Sequence, residues 1–166
     1  MVWLDTDRAL LLCRKSKILI AKPYDQGFPM QEYMKLLSGT HNDETGALAI
    51  NIDPDWDTGT KFVYVYWATK GKSGYQEGQR ISRFEHEEKQ GGTDSAGNYW
   101  SELVLWHDTD GFGGTPKWHY GGSLTWGPDK HLYLTLGASL WRMPAASLML
   151  LATDARSNQL LWGQGF

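Results

Sequence analysis

The segment Gly127-Pro128-Asp129-Lys130, set between Ser123-Leu-Thr-Trp126 and Leu132-Tyr-Leu-Thr-Leu136, constrains the fold more than any other part of the chain. Proline fixes φ in a tight turn, and an aspartate can close that turn through its own side chain. The flanking segments are short, alternate in polarity and carry aromatic residues, so they are predicted to be two strands facing each other across the turn. Nine Trp, eight Tyr and nineteen Gly among 166 residues extend that reading to an all-β chain. Aromatic rings fill pleated surfaces, and glycine supplies the positive φ that many turns require.

Taken in order, Ala9 to Cys13 and Lys17 to Ala21 are apolar runs split by Arg14-Lys15-Ser16, which reads as a hairpin. The lone Cys13 is read as a small apolar side chain rather than a nucleophile. Met30 to Leu37 fits either a short helical turn or an irregular strand. Lys61 to Thr69 and Trp100 to Trp106 read as strands, and in Arg80 to Glu85 the alternation points to burial of Ile81, with Phe84 a further candidate. Lys89 to Asn98 reads as a Gly-rich polar loop, and the charge run Glu85 to Lys89 as a solvated strand end or loop.

The metal-like constellations fail on spacing. His41, His86, His107 and His131 show no zinc-ligand spacing and are expected as exposed polar residues. Asp53 to Asp57 opens like a calcium loop, but Thr58 stands where glycine is required and Tyr64 where a glutamate is required, so a turn is expected. Asp108 to Gly111 is read as an Asx-type turn. No metal site is predicted from these residues.

The run from His119 to Gly137 resembles the H-N-G-G-x-L-x-F-G-P-D-G-x-L-Y-V-x-x-G-D signature of the glucose/sorbosone dehydrogenase family. These are six-bladed β-propellers that include soluble quinoprotein aldose dehydrogenases and the propeller of hedgehog-interacting proteins. Asn42 to Trp56 is similar to the family's G-E-x-G-L-L-G-I-A-x-H-P-D-F segment, with Glu44, Gly46, Leu48, Ile50, Pro54, Asp55 and Trp56 at the expected positions. The resemblance spans Ala9 to Gly137 and then falters. Residues 1–137 are therefore read as part of a propeller and 138–166 as a divergent C-terminal segment. Six blades at roughly 40 to 50 residues each need a longer chain. The Pro-Asp turn ahead of an aromatic strand occurs twice, at Pro54-Asp55 and Pro128-Asp129, which implies about two blades.

The resemblance implies oxidation of aldose sugars dependent on pyrroloquinoline quinone (PQQ) and calcium, if the site is completed. It makes His119 the base that takes the proton of the anomeric hydroxyl while hydride moves to the quinone. It sets Glu44 on a polar position facing the same pocket, and Gly121 and Gly122 where backbone comes close to a flat cofactor. Imidazole suits the task because its ordinary pKa of about 6.5 lies near working pH. On residue chemistry alone, His119 beside Trp118 and Tyr120 also reads as a loop histidine with satisfied hydrogen bonds. In the family, the basic residues that hold the quinone's carboxylates, and the calcium sites, lie in later blades.

The alternative, from another class, is a non-catalytic truncated propeller serving as a structural or binding subunit of a larger assembly. Open sheet edges would then demand a protein partner or self-association. The resemblance implies an extracellular or periplasmic location, although Met1 to Asp5 shows no signal peptide. A net charge of −3 gives no footprint for nucleic acid. No run approaches the roughly 20 apolar residues of a membrane span.

Overall fold

The computed structural model describes residues 1–13, 16–36, 46–69, 78–88, 95–107, 122–136, 149–154 and 159–164. Twelve strands occupy them, with no helix among the described residues. The first sheet holds β1 (Val2–Trp3), β2 (Ala9–Cys13), β3 (Lys17–Ala21) and β4 (Met30–Lys35). The second holds β5 (Gly46–Ile52), β6 (Phe62–Thr69), β7 (Gly78–Glu88) and β8 (Ser95–His107). The third holds β9 (Gly122–Trp126), β10 (His131–Leu136), β11 (Met149–Asp154) and β12 (Gln159–Gln164). Each is a four-stranded antiparallel meander in chain order, the unit of a propeller blade.

The all-β, part-propeller expectation holds, but there are three such sheets rather than about two. The count of two rested on the Pro-Asp turn. The first sheet lacks that turn because β1 is only two residues long and is joined to β2 by a tight loop, in which Leu4 N–H donates to Arg8 C=O at 2.9 Å. The outer half of the third sheet comes from residues 149–164, beyond the point where the motif match faded.

The middle sheet is buried on both faces, and β6 shows why. Val63 to Ala68 are all buried, with Val63, Val65 and Trp67 packed toward the first sheet and Tyr64 and Tyr66 toward the third. A strand with apolar contact on both sides needs no polar alternation, which accounts for the run Phe-Val-Tyr-Val-Tyr-Trp. In β7, Ile81 joins the third-sheet face and Phe84 the first-sheet face, both fully buried.

One open local reading is decided and two are corrected. Met30–Lys35 is a strand, irregular because the register shifts so that Tyr33 and Met34 are both buried. Ser95 to Asn98, read as loop, are the start of β8 and pair with β7. His86, expected to be exposed, has no accessible side-chain surface. Its Nδ1 lies 2.9 Å from the Tyr33 hydroxyl and its ring meets the Trp56 ring edge-on at 4.8 Å. These partners come from β4 and from the turn after β5, distant in sequence, so a local pattern does not reveal them.

The seam between the first two sheets depends on close approach of β8 to β4. A Cβ at Gly97 would lie 2.7 Å from Tyr33 Cε1 and 3.0 Å from Met34 Sδ, and both neighbours are buried. Gly97→Ala is therefore expected to lower unfolding free energy by about 1–3 kcal/mol through overpacking. Urea unfolding followed by far-UV circular dichroism reads the change.

The same seam carries a titratable cluster. Arg8 Nη1 pairs with Glu88 Oε2 at 3.0 Å and its Nε with Asp5 Oδ2 at 2.7 Å, while Lys61 Nζ lies 3.3 Å from Glu88 Oε1. His86 Nε2 lies 3.1 Å from Glu88 Oε1 without a linear hydrogen bond. Burial pushes the His86 pKa below its ordinary 6.5, and the Arg8 guanidinium holds the Glu88 carboxyl well below the usual carboxylate range. Because the folded His86 pKa is the lower one, the unfolded chain takes up its proton first as pH falls. Stability from this group is full above about pH 6.5 and is lost as pH drops through that value toward the folded pKa. The Glu88 contribution has the same sign but falls away only below about pH 4.5. The urea midpoint should decline between about pH 7 and about pH 5.5, and His86→Gln should flatten that decline.

Candidate functional site

Innermost in the three sheets lie β1, β5 and β9, and they converge on one cleft of about 570 Å³. Val2, Leu12, Leu48 to Asn51 and Gly122 to Leu124 form its wall. Strands β5 and β9 are held together by polar bonds between sheets. Asn51 Nδ2 donates to the Leu124 carbonyl at 3.1 Å, and Trp126 Nε1 donates to the Ile52 carbonyl at 2.6 Å. The Trp126 ring meets Tyr64 edge-on at 5.0 Å, a favourable aromatic geometry.

Below the cleft the two Pro-Asp turns meet. In the first, Trp56 N–H donates to Asp53 C=O at 3.1 Å and Asp55 N–H to Asp53 Oδ1 at 2.9 Å. In the second, Lys130 N–H donates to Gly127 C=O at 3.0 Å and His131 N–H to Asp129 Oδ1 at 3.0 Å, with Lys130 at φ 61°. The expected turn closure by aspartate is thus what forms. Lys130 Nζ reaches Asp55 Oδ1 at 2.8 Å, tying turn to turn. The Tyr64 hydroxyl donates to Asp53 Oδ2 at 3.1 Å, and burial, with Asp53 beside it, pushes the Tyr64 pKa up. The carboxylates of the calcium-like spacing are therefore engaged in a turn and in its contact with the neighbouring blade.

Of the expected site residues, Gly122 is in the cleft wall, at the start of β9. A Cβ there would overlap the Thr135 carbonyl oxygen and approach Tyr66 Cε1 at 3.1 Å. Packing of β10 and β6 around this position thus requires glycine on its own account. His119, Gly121 and Glu44 lie outside the described residues, as does the Asp108 to Gly111 turn. In sequence, Glu44 immediately precedes β5, and His119 and Gly121 immediately precede β9. Sequence reading did not anticipate Asn51 and Trp126 as the ties between these strands. Trp126 occupies the aromatic position just before the Gly-Pro-Asp turn, which was the available signal.

Most side chains of the wall are aliphatic, with Asn51 and Ser123 its polar ones among the described residues, but polar atoms make up most of its accessible surface. Both polar ends of the Asn51 amide are occupied, since Oδ1 accepts the Ile52 N–H at 2.9 Å. No cationic side chain is among the described residues of the wall, and no group of three or more His, Cys, Asp or Glu among the described residues is placed to hold a metal. Among the described residues the wall thus offers no cationic partner for the carboxylates of PQQ and no ligand set for its calcium. No helix among the described residues is long and apolar enough to cross a membrane.

In comparison with known protein families, the model described as Glucose / Sorbosone dehydrogenase matches residues 1–152, from before β1 into β11. No curated protein matches the chain.

Proposed function

Because the chain belongs to the glucose/sorbosone dehydrogenase family, we propose that it contributes the channel wall of a sugar-oxidising propeller site in which His119 takes a proton from an aldose hydroxyl. One observation carries this reading: the two strands that follow Glu44 and His119 in sequence line a single cleft. An imidazole with an ordinary pKa of about 6.5 is half-charged near neutral pH and can accept a hydroxyl proton as the C–H bond breaks. Glu44 would orient the sugar from the segment ahead of β5. In the quinoprotein relatives the electrons pass to PQQ. The described wall offers that group no cationic partner, so the redox step is assigned to no residue of this chain. An extracellular or periplasmic setting goes with this reading.

The exposed Trp100 and Val104 on the edge strand β8 favour a second reading. Here the chain is a non-catalytic propeller subunit whose sheet edges are covered by a protein partner or a second copy. The two readings separate in one assay of the chain loaded with PQQ and calcium. Aldose-dependent reduction of a redox dye supports the first, and no turnover with any aldose leaves the second.

A further inference from the structure

The outer strand of the middle sheet, β8, is interrupted by a large bulge: four residues, 99–102, stand opposite the single residue Phe84 of β7. Side chains build this bulge. Asn98 Oδ1 accepts the Trp100 N–H at 3.0 Å, while Asn98 Nδ2 donates to Glu87 Oε1 at 2.6 Å. Ser101 Oγ donates to the Asn98 carbonyl at 2.7 Å and accepts the Glu85 N–H at 2.7 Å. Tyr99 is stacked on Phe84 with ring centroids 6.0 Å apart. The Trp100 ring stands against Tyr99 at 78° and remains 88% exposed, with exposed Val104 further along the strand.

A bulge by itself blunts a sheet edge against unwanted pairing. That purpose needs no indole at its tip, and an indole left in water gives up the burial that makes tryptophan stabilising elsewhere. Glu85 and Glu87, both exposed, stand on β7 opposite Asn98 and Ala96, Glu85 bonding the bulge through its backbone N–H and Glu87 through its carboxylate. An exposed aromatic face with acidic residues on the neighbouring strand is complementary to a cation. Guanidinium is the best match, since it stacks flat on an aromatic ring and forms paired bonds to carboxylate. The geometry is also fixed in advance, which lowers the entropy cost of binding.

We propose that Trp100, with Glu85 and Glu87 on the neighbouring strand β7, is a docking site for a basic segment of a partner protein, with an arginine side chain stacked on the indole. The site lies on the outer strand of the middle sheet and does not involve the central cleft.

The test titrates the full chain into a short fluorescein-labelled arginine-glycine peptide, with a glutamate-glycine peptide as the control. Saturable binding of the arginine peptide that weakens with added salt is expected. It should weaken about tenfold in Trp100→Ala and be largely recovered in Trp100→Phe. Glu85→Gln combined with Glu87→Gln should reduce both affinity and salt dependence. Because Trp100 is solvent-exposed, the unfolding midpoint of its variants should match that of the native chain. Absence of binding, binding unchanged in Trp100→Ala, or equal binding of the glutamate peptide would overturn the proposal. Trp100-dependent dimerisation in sedimentation would likewise overturn it, by giving the face to a second copy.

Discussion

Replacing Trp67 with alanine is expected to lower the unfolding free energy by about 3–5 kcal/mol. Trp67 is fully buried at the face of β6 that packs on the first sheet. Its Nε1 donates to Ser82 Oγ at 3.0 Å, and Ser82 Oγ in turn donates to Glu102 Oε1 at 2.6 Å. The Arg80 guanidinium lies 5.0 Å from the ring centroid and 3.9 Å from Glu102, so one ring joins the apolar seam to a buried charged pair. Truncation would open a cavity and remove the surface on which Arg80 rests. Domains commonly have about 5–15 kcal/mol of total stability, so the variant should lose a large share of it. Trp67→Phe keeps most of the volume but loses the indole donor, and about 1–2 kcal/mol is expected for it. Urea titration read by far-UV circular dichroism distinguishes the two variants. Equal, small losses for both would contradict two-sided burial of the middle sheet.

Replacing His119 with alanine is expected to lower kcat of the PQQ- and calcium-loaded chain on the order of 10²–10⁴-fold, the usual contribution of a general base. KM should change little, because a base that acts as the C–H bond breaks contributes mainly in the transition state. In the native chain, kcat should rise with pH through about 6.5 as the imidazole loses its proton. That limb should vanish in His119→Ala. A loss of similar size with the pH limb intact would assign proton transfer to another group.

Much of the fold was legible because its signals are local. The Pro-Asp turns fix φ and close through their own carboxylates, so β9 and β10 could be placed to within a residue, and the β2–β3 hairpin followed from two apolar runs. What escaped depends on contacts between distant segments. The burial of His86 is set by Tyr33, Trp56 and Arg8, none of them within twenty positions of it. Register shifts in β4 and β8 turn side chains out of the simple alternation, which left Met30–Lys35 open between helical turn and irregular strand and hid the bulge at Trp100. The third sheet was half hidden because its outer strands have no turn motif. For the candidate site, sequence identified the strands that line the cleft, through the segments before β5 and β9. It did not reveal the part of the wall made by Val2 and Leu12, because these come from a sheet that carries none of the motif residues.

The most direct test of the functional account compares native chain and His119→Ala in parallel, both loaded with PQQ and calcium, in dye-linked oxidation of aldoses from about pH 5 to about pH 9. The account predicts sugar-dependent reduction by the native chain, rising with pH through the imidazole range, and its loss in the variant. Equal rates in the two proteins, or no turnover by the native chain with any aldose, would contradict it and leave the family propeller with a structural role.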